Sequence, residues 1–348
     1  MEMSTKPKVV VGGGIIGLVS ALAALELGPV TIFDPGIGSG ATYAAAGMLS
    51  PGAELLAGEA HALEDAAQSL ADWPALLDVI KGPPNIFFPR TSSLLTGFSR
   101  GDSEEVKRLT AFAQKSSLEM EHVTRLSNSS LFSGISPRFT QGVLFPDDGF
   151  VDVEKLVEAL LANLQLNGVS IITECVVAIE GGTTAVVRTE KGRYEFDSGI
   201  LCTGSQKSLV DTAAAKSFRS VRGVTLRLRR RELVPPRMVR ALIDGRSIYV
   251  VDRPNGEVII GASSDESDER YVDAQAVADL LRLGIQLCPS LDDAEFLEAR
   301  SGLRPVGPSG QSFLERLNGS WAWHTGYYRH GVLMAPLAYR RAQEFWND

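Results

Sequence analysis

Lys8-Val9-Val10-Val11-Gly12-Gly13-Gly14-Ile15-Ile16-Gly17 opens a stretch that stays uncharged from Val9 to Leu25 and leads into Val30-Thr31-Ile32-Phe33-Asp34. The β-branched residues before Gly12 suit a strand buried on both faces. Gly12-x-Gly14-x-x-Gly17 follows at once, and each glycine has its own task. Gly12 makes the tight turn, Gly14 lets backbone approach a pyrophosphate, and Gly17 lets the helix pack closely on the strand. A helix over about Ile15 to Leu27 turns its first N–H groups, those of Ile15 and Ile16 included, toward the phosphates. Asp34 lies 22 residues beyond Gly12 at the end of the second strand, where a carboxylate accepts ribose hydroxyls; Pro35 beside it belongs to the same candidate contact. Strand, glycine turn, helix and acid at this spacing specify a dinucleotide, and leave NAD and FAD both open.

The same stretch has a rival reading as an export signal. Lys6 and Lys8 precede the uncharged run, and Ala21-Leu22-Ala23 has the form of a cleavage site. Gly12, Gly13, Gly14 and Gly17 would weaken the helix such a signal needs, so the nucleotide reading is preferred. The whole chain has 348 residues, 44% of them hydrophobic and 22% charged, with a net charge of -8. That length allows about two domains and an ample core. The acidic balance argues against a nucleic-acid partner. The basic run Arg227 to Arg231 is read as the solvated face of a strand. Cys175, Cys202 and Cys288 are widely spaced, and the four histidines form no ligand pair, so neither a disulfide framework nor a metal site is expected. Reduced thiols point to the cytoplasm, and no membrane association is expected.

A second segment bears on the choice of dinucleotide. Gly38-Ser39-Gly40-Ala41-Thr42-Tyr43-Ala44-Ala45-Ala46-Gly47-Met48-Leu49-Ser50-Pro51 resembles the flavin loop of the FAD-dependent D-amino-acid oxidase family, and within it the glycine oxidase branch linked to thiamine biosynthesis. Small side chains there would let backbone lie against a flavin ring; without the resemblance the segment reads as a small-residue turn in a core. The resemblance implies non-covalent FAD, with Thr42, Ala45, Ala46, Gly47 and Met48 in contact with it. It further places Val176 and Val177 beside the adenosine and Thr203-Gly204 at the turn closing the FAD sheet. Arg329, His330, Gly331, Val332 and Leu333 correspond to the terminal flavin motif.

The expected fold class is α/β with two domains: a Rossmann-like FAD-binding domain interleaved with an antiparallel-sheet substrate domain. Residues 1–80, 147–220 and 295–348 are assigned to the first, and 81–146 and 221–294 to the second. Periodicity predicts helices over about Glu54 to Ile80 (Leu55, Leu63, Leu70, Trp73 and Leu77 apolar), from Asp102 or Ser103 to about Lys115, over Val153 to Leu166, and over Asp273 to Leu287. Short strands are expected at Val169 to Thr173, Val176 to Glu180, Ala185 to Thr189, Ile248 to Val251 and Val258 to Gly261. A last helix starts at Pro336, where proline is tolerated in the first turn.

Gly302-Leu303-Arg304-Pro305 matches the motif whose arginine holds the substrate carboxylate in that family, a task suited to the planar guanidinium fork. Tyr249 corresponds to the tyrosine giving the carboxylate a second hydrogen bond, and alternation puts Ser247, Tyr249 and Val251 on one strand face. Arg329 adds a charge near substrate or ring. The resemblance implies an oxidase of a small amino acid or secondary amine of the glycine, sarcosine or D-alanine class. Hydride passes from Cα to flavin N5, giving an imino acid, and oxygen then gives hydrogen peroxide. Ser247, Ser264 and His330 depart from the family pattern. They leave open a dehydrogenase using another acceptor, or a flavoprotein acting on a pathway- or protein-bound amine. Self-association into a homo-oligomer also stays open.

Overall fold

The computed structural model describes residues 7–52, 62–113 and 118–348. It has a mixed α/β, two-domain fold. Six strands form a sheet in the order Phe313–Asn318, Trp321–Thr325, Ser198–Leu201, Lys8–Val11, Val30–Phe33 and Ser170–Ile172. All adjacent pairs are parallel except the first. The Lys8–Val11 strand is buried on both faces, as its sequence requires. Val10 packs with Leu18, Ile32 and Ile200 on the side of the first helix. Val9 and Val11 pack with Phe33, Trp321 and Trp323 on the other. Each such side chain contributes about 1.5–3 kcal/mol on burial.

The chain leaves this strand in one direction, through Val30–Phe33 to Ser170–Ile172, and returns to its other side at Ser198–Leu201. That reversal opens a crevice at the carboxyl ends of Lys8–Val11 and Ser198–Leu201, the place where doubly wound sheets bind ligands.

The first helix is shorter than its periodicity predicts. It runs Ile15–Leu22, and Leu25–Leu27 is a separate 3₁₀ turn. The coil tightens at Ala24, whose N–H bonds to Ala21 three residues back. The buried Lys8 ammonium then donates to the Leu27 carbonyl at 2.9 Å, and Gly28, at φ +132°, turns the chain into the next strand. Burial lowers the Lys8 pKa, with Asp197 opposing that shift.

A second sheet of nine strands includes, side by side, Glu295–Val306, Arg219–Arg229, Glu257–Gly261, Arg246–Asp252, Arg237–Ile243 and Ser93–Gly97. One face is aliphatic: Val224, Leu226, Val239, Ile248, Val250 and Ile260 pack under Leu280, Leu283 and Leu287 of helix Ala274–Leu287. Asp273 caps that helix by accepting the Ala276 N–H at 2.8 Å. The opposite face, carrying Thr225, Arg227, Tyr249 and Arg304, looks toward the parallel-sheet domain.

Several expectations shift. The helix expected from Glu54 runs Leu63–Ile80, and Glu54 and Leu55 lie outside the described residues. The next helix is Arg100–Ala113, and Lys115 likewise lies outside them. Asp102 is inside this helix, where its carboxylate accepts N–H groups of Ser99, Asp244 and Gly245 and fastens a distant turn. Arg227 and Arg230 are buried, not solvated: Arg227 pairs with Glu257, and Arg230 with the buried Asp252 at 2.7 Å. Both faces of that strand are covered up to Leu228, so Arg227 is buried, while Arg230 just beyond the strand is drawn in by Asp252. Among the described residues no helix is long and apolar enough to cross a membrane.

Candidate active site

The crevice at the sheet's reversal is built from backbone. Gly12 has φ +109°, and a Cβ there would overlap the Cys202 carbonyl oxygen. A Cβ on Gly17 would overlap the Gly12 carbonyl, so the helix reaches the turn only because both positions lack side chains. Thr42 Oγ1 accepts the Ile15 N–H at 3.1 Å, which ties the Gly38–Pro51 segment to the start of the first helix. Asp34 holds the turn from below, one carboxylate oxygen accepting the Gly13 N–H and the other the Gly36 N–H, both at 2.6 Å. Each oxygen keeps a lone pair for a further donor. Backbone donors at a helix N-terminus, an acid at the end of the second strand and a gap without side chains fit the diphosphate and ribose of a dinucleotide.

The predicted residues fall around this crevice. Thr203 and Gly204 follow the Ser198–Leu201 strand, and Thr325 Oγ1 donates to the Gly204 carbonyl at 2.9 Å. Gly331 packs 4.0 Å from Ile15 across the start of the first helix, as judged from its built Cβ. Val332 and Leu333 are buried in the core, so they offer a cofactor only backbone. Trp73 indole N–H donates to the Leu333 carbonyl at 3.0 Å, an anchor that sequence reading recorded only as an apolar helix position. Pro35 and Val177 are exposed, while Ile16, Val176, Ala45 and Met48 are half-buried.

The substrate candidates meet the Gly38–Pro51 segment across one sheet face. Directly opposed residues of antiparallel strands project to the same side. The register pairs Gly302 with Gly223, Thr225 with Gly261, and Gly261 with Tyr249, while alternation puts Gly223 with Thr225. An added Cβ at Gly223 would overlap the Arg304 guanidinium, and one at Gly261 the Tyr249 hydroxyl. Both groups therefore lie flat on glycines of this face. Gly223 and Gly261 are diagonal neighbours, a relation that separates positions by about 7–8 Å. Built Cβ atoms on Gly302 come within 3.1 Å of Ala41 and Ala44. The face thus looks directly onto the Ala41–Gly47 segment. Neither glycine floor had been singled out from the sequence, where each reads as a strand weakness; only the register shows what lies on it.

Three donors from this sheet and the residue just past one of its strands hold carbonyls of the segment. Arg300 Nη1 donates to Tyr43 at 3.1 Å, Thr225 Oγ1 to Ala44 at 3.1 Å, and Arg253 Nη2 to Ala46 at 2.9 Å. Beyond it, Ser50 and Ser93 hydroxyls both donate to the buried Asp148. Gly47, at φ +77°, would overlap the Val151 carbonyl if it carried a Cβ. The chain between residues 9 and 342 matches the family described as DAO, FAD dependent oxidoreductase.

The chain belongs to that family.

FAD is the cofactor of this oxidoreductase. The bifunctional protein ThiO/ThiG of Synechocystis sp. is 29% identical over 355 residues, which cover 96% of this chain and 50% of that protein. The chain spans about half the length of such bifunctional relatives. Glycine oxidase of Pseudomonas putida is 25% identical, with 96% of this chain and 92% of that protein aligned. The crystal structure of glycine oxidase from Geobacillus kaustophilus superposes with a TM-score of 0.88 at 23% identity, over 99% of this chain and 95% of that one; the likeness is one of fold.

The terminal motif of this FAD-dependent oxidoreductase is tied to the Arg304 strand. Tyr328 N–H donates to the Pro305 carbonyl at 2.7 Å, and Tyr327 bridges to Val306. Arg329 lies over the Tyr328 ring, 4.7 Å from its centroid, and donates to its hydroxyl at 3.0 Å. The departures separate. Ser247 and Ser264 are exposed, and the serine at Arg304 is Ser263, whose carbonyl accepts from Nη1 at 3.1 Å. Val251 is buried against Ala46 and Phe150, so it is core and not pocket lining.

Behind the motif His324 is fully enclosed, with Nδ1 3.1 Å from Ser20 Oγ and Nε2 2.7 Å from Tyr327 hydroxyl. Desolvation lowers its pKa to about 3, with the Arg341 charge adding to the shift. Cys202, bonded to Ser20, is pushed up to about 12 by burial, so it is an inert thiol. Because the folded pKa of His324 is depressed, the unfolded chain binds the extra proton below about pH 6.5. Stability is therefore complete above that value and falls as pH drops toward 3. Urea unfolding at pH 6.5 and 5 is expected to show a loss of about 2 kcal/mol, from ~1.4 kcal/mol per unit. A His324→Gln variant should lack that slope, and an equal slope in both proteins would remove His324 as its source.

Proposed function

We propose that this chain is an FAD-dependent oxidase of a small amino acid or secondary amine of the glycine, sarcosine or D-alanine class. One observation carries the reading: Arg304 and Tyr249 lie on one sheet face that looks onto the Ala41–Gly47 loop. Bound FAD would supply the two-electron acceptor for the substrate Cα–H. The relatives named glycine oxidase support the substrate class.

In this reading Arg304 binds the carboxylate through its fork, and the Tyr249 hydroxyl donates to it from the neighbouring glycine floor. Two contacts fix the carboxylate end and so orient the Cα–H, and such orientation supplies much of the rate in reactions where the cofactor carries the hard step. The amine must be neutral to release the Cα hydrogen with its electron pair; the product is an imino acid, with oxygen as the second acceptor and hydrogen peroxide as its product. Residues 1–80, 147–220 and 295–348 are assigned to the cofactor domain, with the Glu295–Val306 strand, which pairs with Arg219–Arg229, joining it to the substrate sheet. Free thiols at Cys175, Cys202 and Cys288 suit the cytoplasm.

Anaerobic mixing with glycine, sarcosine and D-alanine, followed at the flavin absorption band, tests the proposal. At least one is expected to bleach the band, and oxygen should restore it with one peroxide per turnover. Bleaching that a quinone or dye reverses and oxygen does not would make the chain a dehydrogenase. No bleaching by any of the three would sink the substrate class.

A further inference from the structure

Arg253 is 3% exposed and follows the strand that carries Tyr249. It forms two ion pairs at the long end of the range, with Asp152 at 3.6 Å and Glu257 at 4.0 Å. Its Nε, buried, has no hydrogen-bond partner among the described residues. By contrast Arg230 and Arg237 share the carboxylate of Asp252 at 2.7 and 3.1 Å. The short polar contact of Arg253 is the one to the Ala46 carbonyl, 2.9 Å from Nη2. A buried guanidinium is costly unless it is well paired; this one combines two long ion pairs with one short hydrogen bond, and that bond goes to a neutral peptide.

That peptide lies where the two halves of the molecule meet. Ala45 packs on the core around the first helix, and Ala46 packs on the substrate sheet with Val251 and Ile259. A trans peptide sets C=O and the following N–H in opposite directions. With the Ala46 carbonyl held toward the sheet, the Gly47 N–H points to the other side, toward the cofactor domain. A positive charge on the carbonyl draws electron density through the peptide and strengthens that N–H as a donor.

We propose that Arg253 is a positioning residue that tunes the flavin through the Ala46–Gly47 peptide, an inference that rests on this loop touching the flavin. The buried charge favours the negative charge that a flavin gains on reduction, directly and through the polarised N–H. Asp152, the nearest carboxylate, partly offsets it.

The midpoint potential of the purified holoenzyme, measured by equilibration with reference dyes, tests the proposal together with the visible spectrum and FAD content. Arg253→Met should shift the reduction equilibrium about tenfold toward the oxidised form, ~30 mV for a two-electron couple. Arg253→Lys should recover part of that shift. Asp152→Asn keeps a helix-capping side chain and should move the potential in the opposite direction, which damage to packing would not do. Arg229→Met, which removes an exposed arginine paired with Glu295 on the same sheet, should leave the potential unchanged. FAD-loaded Arg253→Met and Asp152→Asn proteins with the wild-type potential would overturn the proposal. So would FAD loss from Arg253→Lys with Asp152→Asn unmoved, which would make Arg253 a holding residue only. Gly47→Ala separates the two ideas: if it too binds FAD with a native spectrum, the loop reading itself has failed.

Discussion

Replacing Arg304 by alanine is expected to lower kcat/KM for small amino acids by about 10²–10⁴-fold while FAD content stays at the wild-type level. The magnitude follows from two charge-assisted bonds at about 1.5–3 kcal/mol each, with 1.4 kcal/mol corresponding to tenfold. The proposed FAD cradle of Gly12, Gly17, Asp34 and Thr42 lies at the end of the parallel sheet, whereas Arg304 belongs to the other sheet, so the two losses are separable. Arg304→Lys keeps the charge but not the fork, and should fall between alanine and wild type. Anaerobic stopped-flow reduction of the flavin is the measurement. An unchanged reduction rate in Arg304→Ala at sub-saturating substrate would end the carboxylate assignment. Tyr249→Phe provides the graded control, with a smaller loss expected from one hydrogen bond, about 1 kcal/mol.

The second large effect is expected at Gly17. A methyl group there would occupy the space of the Gly12 carbonyl oxygen, and the same turn is closed on its other side by Cys202. Neither neighbour is a flexible side-chain tip, so the helix has to move off the strand. Overpacking of this kind costs typically 1–3 kcal/mol and occasionally more, and here the displaced atoms are the proposed phosphate donors themselves. Gly17→Ala should therefore purify without its yellow colour and with a Tm several degrees below wild type. Visible absorption of the purified protein and a thermal melt with and without added FAD decide it. A fully loaded protein with an unchanged Tm would show that the helix does not need that close approach. Gly101→Ala, in the Arg100–Ala113 helix, where an added Cβ meets its nearest atom at 3.7 Å, is the contrasting case and should remain loaded.

Much of the cofactor half was legible because its logic is local. The spacing of Gly12, Gly14, Gly17 and Asp34 fixes a turn, a helix start and a strand end within a few dozen residues, and the structure builds them in that order. Leu25–Leu27 escaped because the apolar pattern continues past the point where the coil tightens. The substrate half was legible only as isolated letters. Arg304 and Tyr249 stood out through a family motif, but Gly223 and Gly261, on which they lie, are set by strand register, over 12 residues for Gly261 and 81 for Gly223. Arg300, Thr225 and Arg253 look unremarkable in sequence for the same reason: their targets are backbone carbonyls, which leave no trace in composition. Arg227 was misjudged because a run of arginines resembles a wet edge until the pairing shows which face each one takes.

The three carbonyls at Tyr43, Ala44 and Ala46 bear on how this molecule could be taken apart. The loop that contains them is encoded with the nucleotide half, yet its shape is cast by a sheet encoded some two hundred residues later. A graft of residues 38–51 onto another dinucleotide scaffold would carry the letters without the mould. On the proposed function, substrate pocket and cofactor loop are in this sense one inheritance: a change in the sheet that admits a larger amine would also re-set the peptide planes of the loop, so selectivity and redox behaviour would drift together.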